Sequence, residues 1–161
     1  MLAAHDFLER IIPYLQSAGV LGSEVTTADR EILAQAAPLI QERIVVLSEA
    51  PDLLEFLFQD ASDIVVAEDA KAGLPENAGE IATAALNALT DIDDSDFKTE
   101  AIQNALQAAL IDGLELKPRI AFGPIRTAIS GRRISPPLFE SMEILGKQQS
   151  LARLRNFAAA H

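Results

Sequence analysis

The sequence predicts an all-α protein made of two small helical subdomains, residues 1–66 and 74–161. Apolar residues recur at helical spacing along most of the 161 residues. Glycine and proline stand where these stripes break off, as they do at helix ends. No alternation of strand and helix patterns builds toward a parallel sheet.

Phe7, Leu8, Ile11, Ile12 and Leu15 form the first stripe, stopped by Gly19, and Pro13 removes a hydrogen bond from that helix or bends it. Thr26 and Asp29 have capping-box spacing. They predict a long second helix, kinked at Pro38, through Ile32, Leu33, Ala36, Ile40 and Ile44 to about Leu47. Pro51 suits the first turn of a short helix carrying Leu53, Leu54, Phe56, Leu57 and Phe58. Between Asp60 and Gly79 the pattern lapses. Ile64–Val66 reads as a short extended piece, and AEDAKAGLPENAG as a polar connector between the subdomains. Glu80–Leu89 resumes helix, rich in Ala and closely packable. Asp91, Asp93, Asp94 and Asp96 precede a helix carrying Ile102, Leu106, Ala109 and Leu110, where acids complement the positive helix N-terminus. Their spacing lacks the closing Glu of a calcium loop. From Lys117 the helices are short. One is opened by Gly123–Pro124 and closed by Gly131, the next is opened by Pro136–Pro137 and ended at Gly146, and the last carries Leu151, Leu154 and Phe157 on one side.

Composition narrows the function. A chain of this size buries roughly 70% of its unfolded surface and needs no covalent or metal staple. It has no Cys, which excludes disulfides, thiolate metal sites and cysteine catalysis. Its two histidines, His5 and His161, lie near opposite ends, so catalysis by a paired histidine is not expected. Glu140 and Glu143 sit at i, i+3 without a nucleophile, base or metal set beside them, and are expected to be solvated on a helix surface. No apolar run approaches the roughly 20 residues of a membrane span, and no basic, signal-like region opens the chain. A cytoplasmic protein with no membrane partner is expected.

Charge is distributed unevenly. The net charge of −11 argues against non-specific nucleic-acid binding. Residues 1–116, however, hold five cations against 22 anions, a net of −17, whereas the last 45 residues hold eight cations against Glu140 and Glu143, a net of +6. That asymmetry predicts a local anion-binding face on a body that otherwise repels anions. Within Gly123–Gly146, Arg126 is expected on the first turn of a helix, and Arg132 and Arg133 just past its end. A guanidinium offers a planar donor fork that matches a phosphate or a base edge. Leu138 and Phe139, beside the proline turn, are expected to form an apolar shelf for an unstacked base, the way single-stranded RNA loops are read. A competing reading is an acidic helical protein-interaction module that docks partners on Leu53–Phe58 and ignores RNA.

The stretch KPRIAFGPIRTAISGRRISPPLFESMEILGKQQSLARLR closely resembles the C-terminal end of bacterial glutamyl-tRNA synthetases. The upstream PLIQERIVVLSEAPDLLEFLF resembles the helical subdomain that precedes it in the same family, so the likeness covers essentially the whole chain. The resemblance implies the all-α anticodon-binding fold of a class I synthetase. It also implies a partner, the anticodon loop of the glutamate tRNA, besides the remainder of the synthetase chain. The family's two ATP-binding signatures, of the His-Ile-Gly-His and Lys-Met-Ser-Lys-Ser types, are absent here. ATP and Mg are therefore implied for the full-length enzyme, no cofactor is implied for this region, and it is expected to be inactive in aminoacylation by itself. Carried over residue by residue, the resemblance assigns base reading to Arg126 with Ser135, Pro136 and Leu138, and a check on the third anticodon base to Arg43. It leaves Arg132 and Arg133 for phosphate.

Overall fold

The computed structural model describes residues 4–44 and 46–161, with side chains from Asp6 onward. Eight α-helices, several single turns of tighter helix and one π-helical stretch make up the regular structure of the described residues, which contain no strand. The chain divides into two compact units, one ending at Gln59 and one running from Asp60 to His161.

In the first unit, helices α1 (Ala4–Ser17), α2 (Thr27–Ile40) and α3 (Ala50–Leu54) pack around Ile11, Leu15, Leu33, Ile40 and Leu54, all fully buried. The first stripe is entirely inside: Phe7, Leu8, Ile11, Ile12 and Leu15 are buried, and Gly19 takes the positive φ of a helix stop. Thr26 and Asp29 form the expected capping box, Thr26 Oγ1 accepting from the Asp29 N–H at 3.1 Å and Asp29 Oδ2 from the Thr26 N–H at 3.2 Å. The helix they open stops at Ile40, short of the expected Leu47. The Ile40 carbonyl accepts from both the Arg43 and Ile44 N–H groups, which tightens the chain into a turn, and three β-branched residues in succession (Ile44–Val46) propagate helix poorly. Val45 lies outside the described residues. Pro38 therefore falls in the last turn of α2. Leu54, Phe56 and Leu57 are buried in this unit, so the apolar docking surface expected at Leu53–Phe58 is largely core.

The second unit holds α4 (Glu68–Ala72), α5 (Ala78–Thr90), α6 (Thr99–Leu106), α7 (Pro118–Ser130) and α8 (Leu138–Ala160). Helix α5 is central: it packs on α6, α7 and α8 through Ile81, Ala82, Ala85 and Leu89. Residues 60–66, placed with the first subdomain by the sequence, belong to this unit. A turn at Ala61–Asp63 packs on α8, and Gln149 Nε2 donates to Asp60 Oδ1 at 3.1 Å. Ile64–Val66 forms no strand. It passes over Gly131, whose φ of 76° closes α7, and the Ala67 N–H donates to the Gly131 carbonyl at 2.7 Å. A side chain at Gly131 would meet the Val65 carbonyl, so this crossing needs glycine twice over. The expected polar connector contains a helical turn, α4. After α6 the chain widens to π-helix over Gln107–Gly113, a departure that apolar spacing did not announce.

Helix α7 starts at Pro118, five residues before the expected Gly123–Pro124. Proline at the first helical position has no N–H to waste, and its φ is already helical. Pro124 lies inside the helix and withholds only the one N–H that the Ile120 carbonyl would accept. Arg126 accordingly sits two turns into α7 and not on its first turn. In α8, Gly146 (φ 85°, ψ 168°) breaks the helix where the sequence ends it.

Candidate nucleic-acid interface

One face of α7 forms a wall of an open groove of about 910 Å³. Ala70 and the Gly73–Pro75 turn after α4 also line it. Three guanidinium groups line it: Arg119 and Arg126 from α7, and Arg133 from the turn after it. No carboxylate is among its described lining residues, in a chain with 24 acidic side chains. Arg126 is half-buried, whereas Arg119 and Arg133 are exposed. Phe122, on the same wall, meets Phe139 of α8 at a centroid distance of 5.3 Å with the rings at 89°.

The arginine turn is held by Ser130. Its hydroxyl donates to the Arg126 carbonyl at 2.8 Å and accepts from the Arg132 N–H at 3.1 Å, joining the last turn of α7 to the chain that leaves it. Arg132 is exposed but is not a lining residue of the groove, so the two adjacent arginines do not share one environment.

Ser135, Pro136 and Leu138 are all buried, and none lines the groove. Ser135 Oγ donates to the Pro136 carbonyl at 2.8 Å, and Leu138 is 5% exposed. The expected apolar shelf therefore does not lie on the surface at Leu138. The Pro136–Pro137 turn directs that first helical residue into the core, where α8 packs on α7. Phe139 is half-buried and braces Phe122. Arg43 is exposed in the Gln41–Arg43 turn of the first unit.

Two further residues differ from expectation. Arg153, counted with the basic face, is 1% exposed. Its Nη1 donates to the Ile129 carbonyl at 2.7 Å, in the last turn of α7, where a cation complements the negative end of a helix. Burial lowers its pKa to about 10 against the opposing charge of Asp60, and the group stays cationic at neutral pH. Glu143 is not simply solvated. Its Oε1 accepts from the Thr99 N–H at 2.6 Å and from Thr99 Oγ1 at 2.9 Å, which caps α6 from another helix. The Thr99 N–H, above all, holds this carboxyl below its ordinary value, with partial burial acting the other way. Arg119, a groove residue, is not among those expected from the sequence. The signal was its seven-residue spacing from Arg126, two turns along one helix face.

The model of the anticodon binding domain matches residues 6–158. The chain is 59% identical over 157 residues to the glutamate–tRNA ligase of Paenarthrobacter aurescens, covering 98% of this chain and 31% of that protein. It is 52% identical over 160 residues to the glutamate–tRNA ligase of Leifsonia xyli, covering 99% and 33%. The chain thus spans about a third of the length of these curated relatives. A crystal structure of a glutamate tRNA ligase from Elizabethkingia meningosepticum in complex with its amino acid has the same fold, with a TM-score of 0.77 at 19% identity over 98% of this chain and 29% of that one. With an all-α fold, a groove edged by three arginines and a family match running nearly end to end, this chain belongs to the anticodon-binding domain family.

Proposed function

We propose that the chain is the anticodon-binding part of a glutamyl-tRNA synthetase and that it receives the anticodon loop of the glutamate tRNA in the α7 groove. The observation that carries this reading is the position of Arg126, half-buried in a groove lined by guanidinium groups and no described carboxylate, in a chain of the anticodon-binding family. Arg126 reads a base edge with its donor fork. Arg132 and Arg133 meet phosphate, Arg133 within the groove and Arg132 more weakly beyond it, and Arg43, on the first unit, checks the third anticodon base. Ser135, Pro136 and Leu138 act from within the protein: they set the turn that carries Arg133 and fix the start of α8. The two helical units, divided between Gln59 and Asp60, serve one tRNA. The acidic remainder of the chain repels a tRNA placed elsewhere.

Attachment of glutamate, with its ATP and Mg, belongs to the rest of the synthetase, working in the cytoplasm. The described residues do not fit the metal: no group of three or more His, Asp or Glu side chains among them is placed to hold a cation. No described helix is long and apolar enough to cross a membrane.

A bidentate arginine–base contact contributes about 1–3 kcal/mol of discrimination. Arg126→Ala is therefore expected to weaken binding to a glutamate anticodon stem-loop by that amount while changing binding to a scrambled loop little, as measured by fluorescence anisotropy. Equal losses on both RNAs would reduce Arg126 to a phosphate contact.

A further inference from the structure

We propose that Phe122 is a base-stacking platform, on which one unstacked base of the RNA loop lies while Arg119 and Arg126 hold the strand on either side of it. Resting on the anticodon-loop reading above, this names how the groove grips its RNA and adds two residues, Phe122 and Arg119, to the site. Arg119, Phe122 and Arg126 stand at i, i+3 and i+7 of α7, and all three line the groove. Those spacings put them in one stripe on one helix face. The two guanidiniums are attached about 10 Å apart along the axis, with the ring between them.

The ring is positioned in advance. Phe139, which does not line the groove, holds Phe122 in a perpendicular contact at 5.3 Å, so the plane of Phe122 is set before any ligand arrives. Ile120, 44% exposed, extends the apolar strip beside it. An aromatic ring between two guanidiniums, in a groove without described carboxylates, suits a strand that is anionic along its backbone and flat in its bases. Single-stranded RNA is such a strand, and proteins bind it through basic grooves with aromatic platforms. The burial of Leu138 strengthens the assignment, since the apolar surface that faces the arginines is at Phe122 and not at the proline turn.

The test uses the 161-residue chain, a glutamate anticodon stem-loop and the same stem-loop with a single abasic nucleotide at each loop position in turn. Phe122→Leu is expected to weaken the intact stem-loop about tenfold, and Phe122→Tyr to bind it as wild type does. At one loop position the abasic change should weaken wild type by a similar factor and Phe122→Leu hardly at all, because both changes remove the same contact. Equal abasic effects in wild type and Phe122→Leu at every position, or Phe122→Leu binding as tightly as wild type, would overturn the proposal while leaving the anticodon-loop reading intact. A wild-type chain that does not bind the stem-loop overturns both. Should Phe122→Leu unfold, the ring protons of Phe122 in the wild-type chain decide the matter: upfield movement on adding the stem-loop supports stacking, and unmoved resonances overturn it.

Discussion

Arg132 and Arg133 are adjacent, yet only Arg133 lines the groove. If the RNA backbone passes along that groove, Arg133→Ala should lower the dependence of log affinity on log salt by about 0.7, the value for one lost contact to a single strand, and should do so for cognate and scrambled loops alike. Arg132→Ala, measured beside it, should change the slope less. An unchanged slope for Arg133→Ala would take that side chain off the backbone path. The positions of Arg132 and Arg133 just past a helix end were legible, because Gly131 is a local signal for where that helix stops, whereas Arg126 was placed on a first turn and lies two turns into α7. Arg119 was hidden by the expected helix start at Gly123. With α7 beginning at Pro118, its spacing from Arg126 becomes a shared face. Leu138 and Arg153 were misread for a different reason. Two prolines before a helix say where it starts but not which side of its first turn meets the core. And nothing near Arg153 in sequence announces that the Ile129 carbonyl, 24 residues earlier, waits for it.

Helix α6 shows what local reading misses among the elements. Its N-cap position is Lys98, which makes no side-chain cap, and the cap arrives from Glu143 in α8. A cap of this kind stabilises by about 0.5–2 kcal/mol. Because the Thr99 N–H and hydroxyl bind the ionised form, the folded-state pKa of Glu143 lies below its unfolded value of 4.5. The stabilisation is then complete above the unfolded pKa and is lost as pH falls through the folded one. Denaturant unfolding should show Glu143→Ala less stable than wild type at pH 7, with the gap narrowing as the pH drops below the unfolded value. A gap that stays constant on acidification would mean that Glu143 acts through packing alone. By contrast, the capping box at Thr26 and Asp29, the stop at Gly19 and the break at Gly146 are all contained within a few residues, and each was readable as written. The end of α2 was not, because a stripe that continues to Ile44 concealed a turn already begun at Ile40.

At the scale of the whole molecule, the class of fold followed from periodicity, and the family from one ordered run of residues between Lys117 and Arg155. The border between the units did not. Asp60–Val66 looks like the end of one unit, yet it is fastened to α8 through Gln149, and the Ala67 that follows it is fastened to α7 through Gly131, contacts made with residues far along the chain. Charge segregation was visible as a +6 tail on a −17 body, but folding refines it. Arg153 goes inside, and the groove gathers Arg119, Arg126 and Arg133 with no carboxylate among its described lining residues. Whether that groove is where RNA binds is tested most directly by an NMR titration of the isotope-labelled chain with a glutamate anticodon stem-loop and, at the same salt, with a scrambled loop of equal length. The predicted result is that the cognate loop shifts resonances along Arg119–Arg126 and at Arg133 at concentrations where the scrambled loop leaves them in place. Matching shifts from both loops, or cognate shifts that spare α7, would contradict it.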